Sequence, residues 1–510
     1  MVACVDLTEL LERVERGGPC TYHRKNEAMG KLFARDRISA LLDQGSFVED
    51  GSLARCLTDS LPADGVIVGT GRMSGRVVAV MANDSTVKAG SWGAGTVEKI
   101  LRIQETAQEL RCPLIYLVDS AGARITDQVK MFPGRRGAGR IFFNQVEMSG
   151  FVPQVCLLFG PSAAGGAYIP AFCDVVVMVE NNSSMYLGSP RMAEIVIGET
   201  STLEQMGGAL MHCTISGCGD VLVRSENEAI EWTQRYLSYL PSRTGGDIPL
   251  APPKPPALDW QRIVDVLPKD DGQPYDMLEL VRAIIDDGSW LEIKPLYAKE
   301  VLTGLCRIEG RSVGIVANQP KHLGGVLFVE SAVKVARFVE LCDAFGVPLL
   351  FLADVPGFMI GAKVEQQGII RAGARMIAAV SSATVPKISV IIRKAYGAGL
   401  YAMCGPAFRP DACIALPSAA IGVMGPGPAV NAVFYNKIQT LAEGDERNSF
   451  IEKHKREYEE DINLLKLADD LVIDAVVPPS DLRHQLACRF ALFADKRELR
   501  LPRKHAVNPM

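Results

Sequence analysis

A chain of 510 residues exceeds what one ordinary hydrophobic core encloses and implies two domains, roughly 200 to 250 residues each. With 48 % apolar and 22 % charged residues it has the make-up of a globular enzyme, and a net charge of −5 gives no general pull towards nucleic acid or anionic lipid. Its 13 cysteines form no CxxC pair, and those in apolar runs (Cys156, Cys173, Cys342, Cys413) read as free thiols of a reducing compartment, which speaks against disulfides and a structural zinc site.

Taken in order, the chain opens on an acidic amphipathic start in which Leu7, Leu10, Leu11 and Val14 recur at helical spacing. This is neither a signal peptide nor an Arg-rich transit sequence. No apolar run reaches the roughly 18 residues a bilayer span needs, so the cytoplasm is the expected location. Helix continues to about residue 45, with Leu32, Ile38, Leu41 and Leu42 at the same spacing. Arg24, Lys25, Lys31, Arg35 and Arg37 form a basic stretch within it, open to two readings: a solvated helix face or a contact for an anionic ligand tail.

Short alternating runs follow at 65–69 and 77–81, and then buried strands such as Ile115–Val118 and Val175–Val179 alternate with helical segments. That rhythm is α/β architecture with helical crossovers. Pro249, Pro252, Pro253, Pro255 and Pro256 then cluster, and a Pro-rich linker is expected over 246–275. It divides an N-terminal domain, 1–245, from a C-terminal domain, 276–510. A highly charged helix from Glu452 to Glu460 reads as a solvated face, and the chain ends in a basic tail, Arg497 to Lys504.

The two halves repeat each other. Shifted by 235 residues, Ala82-Asn83 falls on Ala317-Asn318, Gly90 on Gly325, Lys99 on Lys334, Asp119 on Asp354 and Gly122 on Gly357. Further on the shift becomes 233, and Pro153 falls on Pro386, Gly166 on Gly399 and Tyr168 on Tyr401. An ordered series of this kind marks a duplicated domain with a small loop deletion.

Inside the repeat lie two small-residue turns, Gly160 to Tyr168 and Lys394 to Tyr401, each following a buried strand and each able to start a helix. Glycines there let a ligand approach the backbone and leave main-chain N–H groups pointing outward, as an oxyanion requires. The expected donors are Ala164, Gly165 and Gly166 in the first turn, and Ala398 and Gly399 in the second. Two such pairs suit a reaction in which both partners develop negative oxygen. Tyr168 and Tyr401, just past the turns, either wall a pocket or belong to the core. Asp119 and Asp354 end strands and are ordinarily caps or turn formers. Ser120 and Ser162 lack a recognisable His or Asp partner, and there is no Gly-x-Ser-x-Gly elbow. Gly422 to Gly427 resembles a phosphate loop without the Gly-Lys-Ser/Thr that would complete it. No metal-ligand spacing appears, and His212 and His505 read as structural.

These motifs together resemble the carboxyltransferase (β) subunits of biotin-dependent acyl-CoA carboxylases, the propionyl-CoA and methylcrotonyl-CoA carboxylase group. The likeness runs from about Gly17 to the C-terminus. It is carried by Gly30 to Ile38, Gly139 to Gln145, Gly160 to Pro170, Gly207 to Ala209 with His212, Asn318 to Pro320, Asp354 to Met359, Arg393 to Gly397, Met424-Gly425 and Lys504-His505. The resemblance implies two crotonase-like (ClpP/crotonase ββα-spiral) domains, swapped around a homodimer that commonly stacks into a hexamer. It implies transfer of CO2 from carboxybiotin to the α-carbon, or vinylogous γ-carbon, of an acyl-CoA. The first turn would hold the thioester oxygen, with Ala121, Gly122, Tyr168 and Tyr401 lining the substrate. Phe358, Gly397, Ala398 and Gly399 would hold biotin. No Met-Lys-Met biotinylation site and no ATP-grasp region is present, so biotin would arrive on a separate biotin carboxylase or biotin carboxyl carrier subunit, with no metal in this chain.

The second turn reads Gly397-Ala-Gly-Leu-Tyr401, nearer the methylcrotonyl type, whereas Met148-Ser-Gly-Phe-Val-Pro-Gln154 departs from it, so the acyl chain is left open. The same fold would serve a biotin-dependent acyl-CoA decarboxylase running the reverse transfer. A non-catalytic scaffold is disfavoured by intact glycines at both turns. A crotonase-type hydrolase or isomerase would need an acid or base at the first turn, where none is evident.

Overall fold

The computed structural model describes residues 7–58, 61–270, 272–496, 498, 505–507 and 509. The chain separates into two compact units, Met1–Asp247 and Ile248–Met510.

Each unit is built on one eight-stranded sheet of the same topology. In the first, the strands run in the order Val48–Asp50, Val66–Met73, Arg76–Asn83, Leu114–Ser120, Gln154–Ala163, Val175–Val179, Val221–Val223, with Ser184–Tyr186 paired to the far end of Gln154–Ala163. In the second, the order is Leu291–Glu292, Val301–Ile308, Arg311–Asn318, Leu349–Val355, Lys387–Tyr396, Ala412–Ala415, Ala475–Val476, with Ala420–Gly422 paired to Lys387–Tyr396. The antiparallel hairpins turn at Ser74-Gly75 and at Glu309-Gly310, four residues all at positive φ, the backbone twist that two-residue hairpins prefer.

From there the ladders become parallel. Leu114–Ser120 and Leu349–Val355 are buried along their whole length, as parallel strands covered on both faces must be. The crossover helices Ala94–Leu110 and Val329–Ala344 supply one cover. The repeat read from sequence is therefore a repeat of register: Ala79 pairs Leu114 where Gly314 pairs Leu349, and both ladders slip next to the turn, between Val118 and Ser120 and between Ala353 and Val355.

Two expectations need correction. The Pro-rich stretch 246–275 is not a free tether: it contains a helix, Gln261–Val266, and sends Ile263 and Tyr275 into the second unit's core. Prolines lack a donor but keep their carbonyls. Here Arg307 Nη1 donates to Pro249 O (2.9 Å) and the Asp287 N–H to Pro255 O (3.0 Å). The basic stretch is neither a solvated face nor a ligand contact over most of its length. Arg37 and Lys31 are buried, and Arg35 pairs with Glu49 at 2.7 Å; only Arg24 and Lys25 are exposed. The helix Asp445–Asp461 buries no residue along its length, as its charge pattern implied. Most of the basic tail, including Arg497 and Lys504, lies outside the described residues.

Candidate active site

In each unit the site is built on the longest strand, Gln154–Ala163 or Lys387–Tyr396, and the turn that follows it. The chain leaves the strand with a left-handed residue, Ala164 at φ 52° in the first unit and Gly397 at φ 55° in the second. A short helical turn then begins, Ala164–Ala167 and Gly397–Ala402. The first N–H groups of such a turn have no intrahelical acceptor and face away from it. Alanine in this region is strained by about 1 kcal/mol or more, and such strain clusters at ligand sites.

A neighbouring loop lies beside each turn and is stitched to the segment that leads into the crossover helix. In the first unit Ala121 N–H donates to Ala89 O (3.0 Å), and Trp92 N–H donates to Gly122 O (2.8 Å). Gly122 sits at φ 91°, and a Cβ on it would lie 3.1 Å from Ala163 O, so only glycine lets the loop come this close. Leu327 N–H to Gly357 O (3.0 Å) repeats the contact in the second unit. Gly122 thus lies against Ala163, the residue that leads into the first turn.

The tyrosines belong to the surface. Tyr168 is 44 % exposed and packs edge-on with Phe142 (5.8 Å), and Tyr401 is 47 % exposed and packs against Phe408 (5.4 Å), so each ring is partly open beside its turn. Gly165 and Ala398 are open, whereas Gly166 and Gly399 are buried. Phe358 packs its ring on Gly373 of the helix Ile369–Ser382. Val423 O, from the loop 422–427, lies 3.1 Å from where a Gly397 Cβ would be, so that glycine-rich loop backs the second turn.

Behind each turn is a buried acid, and neither acid is a helix cap. Asp119 binds Lys31 Nζ (2.6 Å) and Arg37 Nη2 (3.2 Å), and Arg37 also reaches Glu226 at 2.6 Å. Burial alone would lower the Arg37 pKa, but its bonds to Glu226 and Asp119 outweigh that and hold the guanidinium charged. Asp354 accepts from Arg393 Nε (2.8 Å) and from the Tyr275 hydroxyl (2.8 Å), whose own pKa is pushed up by burial and by that carboxylate. These clusters fix the strand ends; they are not aimed at a ligand.

His212 spends both ring nitrogens internally, on Ser216 Oγ (2.7 Å) and Met185 O (2.8 Å), and His505 Nδ1 lies 3.0 Å from Ala506 O. Among the described residues no group of three His, Cys, Asp or Glu side chains is placed to hold a metal, and no helix is long and apolar enough to cross a membrane. Sequence reasoning missed Trp92, which packs beside Gly166; its signal was the repeat itself, where the matching residue is Leu327.

A doubled α/β sheet carrying one small-residue, backbone-lined turn per copy defines a crotonase-like fold with two candidate oxyanion cradles. The family described as carboxyl transferase domain matches residues 25–508, and the chain belongs to that family. An "uncharacterized carboxylase" of Bacillus subtilis is 61 % identical over 99 % of this chain and 98 % of its own. The methylmalonyl-CoA decarboxylase α subunit of Veillonella parvula is 37 % identical over 99 % and 98 %, and the propionyl-CoA carboxylase β chain of Saccharopolyspora erythraea is 38 % identical over 95 % and 92 %. Among solved structures, a chain of transcarboxylase 12S, solved as a hexamer with methylmalonyl-coenzyme A and methylmalonic acid bound, superposes at a TM-score of 0.92 and 36 % identity, over 99 % of this chain and 97 % of that one. The protein is an enzyme, a carboxyltransferase of the acyl-CoA carboxylase type with two crotonase-like domains.

Proposed function

We propose that the two turns divide the reaction between them. The turn at Ala164, Gly165 and Gly166 takes the thioester oxygen of an acyl-CoA, and the turn at Gly397, Ala398 and Gly399 takes the ureido oxygen of biotin. The observation that carries this reading is the paired left-handed entry, Ala164 and Gly397, at the same place in two copies of one sheet. Fixed main-chain donors stabilise charge that develops during reaction without having to reorganise, and loss of one such donor typically costs about 100- to 1,000-fold in rate.

The second turn fits a flat, uncharged ring: Ala398 and Tyr401 are exposed at its mouth, Phe358 lies in the neighbouring loop, and Gly399 is packed so that a Cβ would meet Val355 Cγ2 at 2.8 Å. Gly397, Ala398 and Gly399 would hold the ureido oxygen of carboxybiotin carried on a separate subunit; loss of its N1 carboxylate would supply the CO2, and the ureido anion left behind would take the proton given up by the α-carbon as that carbon bonds to CO2. The first turn draws electron density onto the thioester oxygen and so acidifies the α-carbon, with Ala121, Gly122 and Tyr168 bounding the acyl group. No side-chain base at either turn is required. A homo-oligomer that apposes the first turn of one protomer to the second turn of its partner would bring the two oxygens together.

The test uses the full chain with free biotin and malonyl-, methylmalonyl- or methylglutaconyl-CoA, scored for loss of the carboxylate and carboxylation of biotin. Gly166→Pro removes one N–H and should lower this transfer at least 100-fold while the oligomer survives. Turnover equal to wild type would count against the assignment. The decarboxylase direction is the second reading, favoured by the relative from Veillonella; it uses the same two cradles, and the partner subunit that co-purifies distinguishes it.

A further inference from the structure

Among the described residues, two buried polar side chains beside the first turn have no partner. Ser162, fully buried, has no hydrogen bond from its hydroxyl, and Trp92, 3 % exposed, has none from its indole Nε1–H. Both converge on Gly166: a Cβ placed there would sit 3.5 Å from Ser162 Oγ and 3.8 Å from Trp92 Cζ2, the ring carbon on the Nε1 side. An unpaired buried polar group costs about 1–3 kcal/mol, and nearly all such groups in folded proteins find a partner.

The scaffold does not demand them. At the same positions in the second unit stand Ala395 and Leu327, on the same strand end and in the same bridge, Leu327 to Phe358 where Trp92 meets Ala123. The polar pair is therefore particular to the first cradle. Neither atom touches open space, so neither meets a ligand in the free protein. An adjustment of the turn around Gly166 would bring its backbone acceptors to them, and hydrogen bonds at catalytic sites commonly tighten in the bound state.

We propose that Ser162 and Trp92 are positioning residues of the first cradle: their donors become hydrogen-bonded when the turn closes on a bound acyl thioester. They then stabilise the liganded turn and not the free one, which is differential binding built into the wall behind the backbone donors. This inference rests on the assignment of the first turn to the thioester.

The variants Ser162→Ala and Trp92→Phe remove one donor each while filling most of the space. In the full chain, both should leave the thermal midpoint unchanged or raised, because an unpaired buried group has gone. Each should lower kcat for transfer between methylmalonyl-CoA and free biotin by about tenfold to a hundredfold, with KM for biotin within twofold. Propionyl-CoA should shift the tryptophan emission of wild type, and free CoA should not; the difference should vanish in Trp92→Phe. Variants that turn over like wild type, or a propionyl-CoA emission change that persists in Trp92→Phe, would overturn the inference. A wild-type chain that is inactive on every carboxylated CoA thioester sinks the parent assignment, and this proposal with it.

Discussion

The two copies of the sheet keep the same acid at the same strand end and neutralise it from different directions. In the second unit the cation comes from the adjacent strand itself, Arg393 bound to Asp354. The residue at that place in the first unit is Gly160, where a Cβ would lie 1.9 Å from Asp119 Oδ1. Its cations arrive instead from the segment at residues 31–37, through Lys31 and through Arg37 of the helix Ala34–Leu41. The requirement is common, a buried carboxylate that locks the strand before the turn; the side chain that meets it is not. Duplication has preserved a backbone and let the supporting electrostatics move.

The most forceful way to sharpen that comparison is to remove each cation. Arg393→Ala leaves Asp354 the Tyr275 hydroxyl as a side-chain donor, while Arg37→Ala strips Glu226 of its guanidinium and leaves Asp119 with Lys31. Removing one partner of a buried pair costs roughly 3–5 kcal/mol, far above the value of a surface bridge. Each variant should therefore lower the denaturation midpoint of its own unit steeply and leave the other transition in place. Equal loss in both transitions would mean that the units do not melt separately.

A smaller effect should be common to both copies. Lys99 and Lys334 occupy matching positions and are buried with their ammonium groups on backbone carbonyls, Ala63 and Val66 in one case, Lys294, Tyr297, Ala298 and Val301 in the other. Burial brings each pKa down to about 8 from the ordinary 10.5. Between those values the unfolded chain holds more protons than the folded one, so stability rises as pH climbs from 8 towards 10.5 and falls as pH drops through 8. The gain should be on the order of 1–3 kcal/mol per lysine. Lys99→Met and Lys334→Met should each flatten the slope by the same amount, measured as midpoint against pH. A slope unaltered in either variant would show that its lysine stays charged across the window.

How much of this could be read beforehand follows from where the information sits. The strands, the duplicated register and the two turns were legible because they are local patterns repeated at a fixed offset. The source of the Asp119 cation was not, since nothing near Gly160 marks Arg37, 123 positions earlier, as its supplier. The prolines of 246–275 signalled a linker because proline composition is blind to carbonyls, and it is the carbonyls of Pro249 and Pro255 that bind the second unit. Tyr168 and Tyr401 stood equally for core or pocket, and their exposure takes them out of the core.

The finest difference lies at the entry to the turns themselves. Ala164 and Gly397 hold nearly the same left-handed φ, yet a Cβ is strained there and absent strain only in glycine. Exchanging them should move stability in opposite directions. Ala164→Gly relieves about 1 kcal/mol of strain but gives the unfolded chain more freedom, so its midpoint should stay level or rise slightly. Gly397→Ala adds the same strain and brings the new Cβ to 3.1 Å from Val423 O, so it should cost slightly more than about 1 kcal/mol. If the first cradle keeps its alanine to hold the donors rigid, Ala164→Gly should also lower transfer severalfold at unchanged stability. Equal activity in wild type and Ala164→Gly would assign the strain at Ala164 no part in catalysis and leave Gly397 as the plain equivalent of its counterpart.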